Sequence, residues 1–431
     1  MTLFDDVVKL AEDTAHDGQR LAGKLLELLQ QRLAQDPREL FALLREVRPV
    51  FVFGGMAVVT RYPDVVEVLT HDTEFSVQAY AGPMRDITGD FILGLDQGPQ
   101  YERDVSLLRL AFRQTDHPVI ADLATQAASD CIAPALPLGT IDVVKDLTDR
   151  VPARFSARYL GVAGPDEDTL IRWARILFTH IFIDLQHDRI LTEQAKAASE
   201  AIRPYIDGLV SVRKSAISAG KPVPDDVMTR LLRQQALGDQ AFTDIEIRSN
   251  LIGLLVGMIP TLSKTCALAI DEFLRLPDQL EGARKAASDG DDALFGRYVV
   301  EAMRFAPQAP GLIRIAATDY PIARGTHHET IIPKGTVVFA STQSAMLDRD
   351  VVKNSDKFLL DRPDSTYLHF GSGLHACFGR YVNPDVISAV VKAALTIEGA
   401  DRAPGRAGEL SIDGNWPTTM TLQFPAKGSA R

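Results

Sequence analysis

Cysteine is scarce in this chain: 431 residues hold three, Cys131, Cys266 and Cys377. They are far apart and odd in number, so the spacing suggests neither a disulfide framework nor a CxxC zinc site. A basic excess is also missing. Lys and Arg total 46 against 57 Asp and Glu, a formal net charge of −11, which leaves nothing to release counterions from nucleic acid or to meet acidic lipid. The expected partner is a small molecule. No apolar run approaches the roughly 20 residues that span a bilayer, and the opening MTLFDDVVKLAED carries acids where a secretory signal carries Lys or Arg. The reading is a cytoplasmic protein without membrane insertion. Internal repeats, low-complexity tracts and Ser/Gly-rich linkers are absent, which points to one large domain. What is present, 46% hydrophobic and 24% charged residues, suits a globular fold with a large core.

The pattern predicts a mainly α fold with a small β region. Residues 1–35 read as an N-terminal helical extension, from the three and four residue spacing in LAGKLLELLQQRLAQ, and residues 36–431 as the main domain. FVFGGMAVVTRYPDVVEVLT predicts a hairpin turning at the glycines, then a helix. From about 100 to 290 the text is mostly helical, broken at LGVAGPDEDT, SAGKPVPDD and RLPDQL. TIIPKGTVVFAS and TTMTLQF read as strands. One helix stands out: FTDIEIRSNLIGLLVGMIPTLSKTCALAIDEFLRL opens with Thr243 and Glu246 at capping-box spacing. It carries no charge from Leu251 to Leu262, so it should cross the interior.

The stretch Tyr367–Arg380, YLHFGSGLHACFGR, places Cys377 among close glycines, after a histidine and before an amphipathic helix. Glycines let backbone approach a bulky group, and backbone N–H groups with a helix start stabilise a thiolate. Phe370, Gly373, His375, Cys377 and Gly379 resemble, residue for residue, the heme-ligand loop of the cytochrome P450 family. That resemblance implies heme b with Cys377 as axial ligand to the iron, and Phe370, Gly371 and Gly379 shaping the loop. Glu301 and Arg304 in EAMR are similar to the family's E-x-x-R ion pair. In FAPQAPGLIRIA, Arg314 is similar to an arginine that grips a heme propionate, with Ala309, Pro310 and Gly311 facing substrate; His375 matches a second propionate donor. Upstream, YERDVSLLRLAF resembles a helix whose histidine and arginine hold a propionate. Here Tyr101 and Val105 stand in those places, which leaves Arg103 or Arg109 as the substitute. Tyr80, Met84, Ile92 and Met258 fall where the family caps its substrate pocket.

The long helix departs from the family, which carries there an acid followed by an alcohol that deliver protons during oxygen activation. With Gly257 aligned on the family glycine, Ile259 and Pro260 take those places; with Thr261 kept as the alcohol, Pro260 takes the acid's. Neither register leaves a carboxylate, and Pro260 should kink or bulge the helix. The hydroxyl of Thr261 has a second reading, a bond back to the Gly257 carbonyl. The implied activity is oxidation of an apolar or amphipathic small molecule. Its oxidant is either O₂ with electrons from ferredoxin and its reductase or, slightly favoured, a peroxide. A hydroperoxide isomerase and a noncatalytic heme sensor are the alternatives. Cys131 and Cys266 read as buried inert thiols, His180 and His187 as structural rather than metal-binding, and His327 and His328 as a solvated turn.

Overall fold

The computed structural model describes residues 37–184 and 188–426, so the extension expected over residues 1–35 and His187 lie outside the described residues. The chain forms two compact units, each assembled from separate stretches: residues 37–79 with Ala309–Cys377, and Tyr80–Gln308 with residues 378–426.

The first unit carries helix α1 (Arg38–Val47), strands β1 (Val50–Phe53) and β2 (Met56–Val59), helix α2 (Tyr62–Thr70) and strand β3 (Phe75–Ser76), then β4 (Leu312–Ala316) and β5 (Val337–Ala340). The β1–β2 hairpin turns at Gly54 and Gly55, both at positive φ (52° and 80°), as a two-residue turn matching the strand twist requires. The sheet runs β1-β2-β5-β4-β3. β2 and β5 are parallel, with Met56 opposite Val337, and β4 lies antiparallel to β5, with Arg314 opposite Val338. Val65, Val68 and Leu69 recur at helical spacing on α2 and are fully buried against Val59, Phe75, Ala340 and Met346. The expected solvated turn is corrected in part: His328 Nε2 meets Asp64 Oδ2 at 2.9 Å with its side chain largely covered, while His327 is exposed.

The second unit is mostly helical. Its helices include α3 (Pro99–Ala111), α4 (Glu167–Phe178), α5 (Asp244–Arg275), α6 (Asp292–Phe305) and α7 (Asn383–Leu395). A three-stranded sheet of Thr140–Asp142, Thr421–Gln423 and Asp401–Arg402 and the hairpin Ser411–Asp413 with Trp416–Thr419 complete it. α5 starts at the expected capping box: the Glu246 N–H donates to the Thr243 hydroxyl (3.2 Å) and the Thr243 N–H to the Glu246 carboxylate (2.7 Å). By length and hydropathy α5 would suffice to cross a membrane, yet 72% of its apolar window is buried inside the protein. It packs against α4, α6 and α7. No bulge or break interrupts α5, which stays helical through Pro260. Ile259 and Leu262 beside the proline are buried, and their packing offsets the one backbone bond the ring removes.

Candidate functional site

The cysteine loop is pinned at three places, all within the first unit. Gly371 and Gly373 sit at φ +69° and +75°. A Cβ on Gly373 would come within 2.2 Å of the Leu69 carbonyl oxygen at the end of α2, and one on Gly371 within 3.2 Å of Leu312 on β4. His375 supplies the third anchor, its Nδ1 lying 3.1 Å from Asp72 Oδ1 just beyond α2, with the imidazole almost fully covered. Between these anchors the Cys377 N–H donates to the Phe370 carbonyl at 2.7 Å, which closes the loop and leaves the cysteine half-buried. The helix behind it begins later than expected. A 3₁₀ turn, Phe378–Tyr381, intervenes before α7, and a Cβ on Gly379 would strike Asn383 Nδ2 at 2.6 Å.

The other thiols differ from Cys377. Cys131 and Cys266 are buried in helices, and burial pushes both upward, Cys131 to about 11. They stay protonated, as expected of inert thiols. Arg314 is buried on β4, its Nη1 donating to the Ile313 carbonyl at 2.9 Å. Ala309, Pro310 and Gly311 are half-buried just before it. The Pro310 carbonyl accepts from Ser341 Oγ (3.0 Å) and the Gln343 N–H (3.2 Å), and a Cβ on Gly311 would meet the Ala340 carbonyl at 2.6 Å. In the second unit, Glu301 and Arg304 form a two-pronged pair, Nη2–Oε1 2.7 Å and Nε–Oε2 3.0 Å, with no exposure of either side chain.

On α5 the half-exposed positions Leu254, Gly257 and Thr261 share one face, while Ile259 opposite is fully buried and Pro260 is buried too. A Cβ added at Gly257 would meet nothing within 4 Å, so this face opens on free space. The Thr261 hydroxyl donates to the Gly257 carbonyl, one turn back. Met258, Tyr80, Met84 and Ile92 are buried in the same unit. Arg103 lies on α3. Its guanidinium already faces Asp104 Oδ1 at 2.7 Å and Glu246, the capping acid of α5, so two carboxylates balance its charge. Tyr101 is buried and Arg109 exposed on the same helix. His180 is buried in a π-helical turn, its Nδ1 4.0 Å from Asp184 Oδ2, and no group of three metal-ligating side chains occurs among the described residues.

Two partnerships escape sequence reasoning. Asp72 lies 303 positions from His375 and carries no local signal. Lys264, the charge that ends the uncharged run of α5, is buried beside Asn415 and Trp416. A lone cation inside an apolar helix was the available clue.

The residues fit a bound heme b. A half-buried single thiol on a loop that two glycines hold open, with the buried basic side chains Arg314 and His375 in the same unit, is a donor set for a metal and two carboxylates. Residues 294–382 match the family described as Cytochrome P450. The chain is 25% identical to a putative cytochrome P450 133B2 of Xylella fastidiosa over 369 residues, 83% of this chain and 88% of that protein. It is also 25% identical to luteothin monooxygenase of Streptomyces thioluteus over 350 residues, 80% of each. Two solved structures share the fold. P450BioI, in complex with an acyl carrier protein ligated to hexadec-9Z-enoic acid, aligns with TM-score 0.78 at 19% identity over 91% of this chain and 99% of that one. CalO2 aligns with TM-score 0.76 at 21% identity, over 92% and 98%. Fold and loop together define a heme-thiolate oxidoreductase. The family match, the relatives and the shared fold together support a bacterial-type cytochrome P450, a family whose cofactor is heme b.

Proposed function

We propose that the protein oxidises an apolar or amphipathic small molecule, with peroxide as a competent oxidant. Cys377 would ligate the iron, and Arg314 and His375 would hold the propionates. Heme held by a cysteine thiolate supplies oxygen chemistry in which the ligand favours O–O cleavage. The observation that carries the peroxide reading is the proton supply on α5. Pro260 stands where the family has its acid, Ile259 is apolar and fully buried, and Thr261 turns its hydroxyl onto the Gly257 carbonyl. The shared open face of Gly257 and Thr261 favours the register that keeps Thr261 as the alcohol. With O₂ the reaction R–H + O₂ + 2e⁻ + 2H⁺ → R–OH + H₂O needs two protons and two electrons from outside. With hydrogen peroxide, R–H + H₂O₂ → R–OH + H₂O, the oxidant already carries both.

Tyr80, Met84, Ile92 and Met258 supply apolar surface for substrate in the second unit, and Ala309, Pro310 and Gly311 in the first. The whole of residues 36–431 serves one heme, and the protein works in the cytoplasm. A relative named as a monooxygenase supports the second reading, O₂ with ferredoxin and its reductase. The test supplies heme-loaded protein and a substrate panel with hydrogen peroxide and no reductase. Product supports the peroxide reading; product only with ferredoxin, its reductase and NADPH rejects it.

A further inference from the structure

We propose that Lys264 anchors the carboxylate of the substrate, which makes that substrate an organic acid with an apolar body. The proposal deepens the substrate reading above and rests on it. Lys264 follows Gly257 by seven residues and Thr261 by three, so it leaves α5 on the side that Leu254, Gly257 and Thr261 keep open. It is only 9% exposed. Its ammonium donates to Asn415 Oδ1 at 2.9 Å and lies 5.9 Å from the centre of the Trp416 ring, at the edge of useful cation–π distance. Among the described residues no carboxylate reaches it, and burial alone lowers its pKa, to about 8.

Other buried cations of this unit are treated differently. Arg304 meets Glu301 and Arg230 meets Asp116. One amide oxygen and one ring do not replace the water that an ammonium with three donors gives up. An anion arriving at this face would do so. The surroundings say what else it carries. Trp416, fixed by its Nε1 bond to Thr179 Oγ1 (3.0 Å), meets Phe178 at 5.5 Å between ring centres. Phe178 meets Phe182 at 4.8 Å, and Phe182 meets Tyr80 at 5.1 Å. A run of four rings thus leads from the ammonium to Tyr80. Charge at one end and aromatic surface along the rest suit an amphipathic anion.

The experiment compares heme-loaded wild type with Lys264→Met, after the reduced carbon monoxide spectrum has shown thiolate ligation in both. Each is titrated with decanoic, dodecanoic, hexadecanoic and phenylalkanoic acids and with the methyl ester of each, read by the spin-state shift of the heme absorption. The acids should bind wild type at least about tenfold more tightly than their esters. In Lys264→Met that preference should vanish, with ester affinity unchanged. Equal binding of acids and esters by wild type, a preference that survives in the variant, or a panel in which neither class binds overturns the proposal. Without ligand, Lys264→Met should melt above wild type; melting below it would make the lysine a strut for Asn415 and overturn the proposal as well. Wild type without a thiolate spectrum would instead fail the heme reading on which the proposal rests.

Discussion

Gly373→Ala is the sharpest probe of the loop that carries Cys377. The glycine sits at φ +75°, where a residue with a Cβ is disfavoured by about 1–2 kcal/mol. The new methyl would also stand 2.2 Å from the Leu69 carbonyl oxygen and 3.1 Å from the Thr70 Cα. A carbon and a carbonyl oxygen rest at about 3.3 Å or more, so loop and helix end must part by roughly 1 Å, an overpacking cost of about 1–3 kcal/mol. Together these give about 2–5 kcal/mol. Unfolding entropy near 2.1 cal/mol/K per residue converts this into a fall in Tm of about 2–6 °C for a chain of 431 residues. The displacement acts four residues from Cys377, so the reduced carbon monoxide spectrum should also lose thiolate character. Gly296→Ala on α6 is the control: its Cβ meets nothing within 4 Å and its backbone is helical, so it should gain about 1 kcal/mol. Calorimetry of the heme-loaded proteins with the spectrum decides. A Gly373→Ala protein that melts within about 1 °C of wild type and keeps a full thiolate spectrum refutes the reasoning.

Further outcomes follow from the same geometry. Glu301→Gln leaves the Arg304 guanidinium buried without its counter-charge and should cost about 3–5 kcal/mol, read as a lowered Tm; a Tm equal to wild type would show that the pair contributes nothing. Burial depresses Lys264 below its unfolded value near 10.4, so the unfolded chain binds the extra proton between about pH 8 and 10.4, and wild-type stability should rise with pH across that window. Lys264→Met should therefore exceed wild type at pH 7 by about 2–4 kcal/mol and converge with it above pH 10, as denaturant titrations at several pH values will show. Because its hydroxyl bonds the helix, Thr261→Ala should change peroxide-supported turnover by less than about threefold, and a loss of a hundredfold would assign the hydroxyl a proton-transfer role.

The features legible in the sequence are those set by local chemistry. The Gly54–Gly55 turn, the Thr243–Glu246 capping box and the glycine spacing around Cys377 each specify backbone conformation within a few residues, and the structure forms all three. What stayed hidden is decided by packing between distant segments. The Arg103 guanidinium meets Glu246, 143 positions away along the chain. Asp72 and His375 meet only because the cysteine loop crosses the end of α2. Pro260 read as a kink or bulge, yet α5 continues through it as helix without a bulge, with Ile259 and Leu262 buried beside it. Lys264 showed its charge in the sequence but not the missing counter-charge, which is a property of everything folded around it.

The most direct measurement replaces Cys377 by alanine in protein produced with ample heme precursor and records the reduced carbon monoxide spectrum of both forms. Wild type should show thiolate-ligated heme and the variant should not. A colourless wild type, or a variant whose thiolate spectrum persists, would contradict the assignment of Cys377 as the iron ligand.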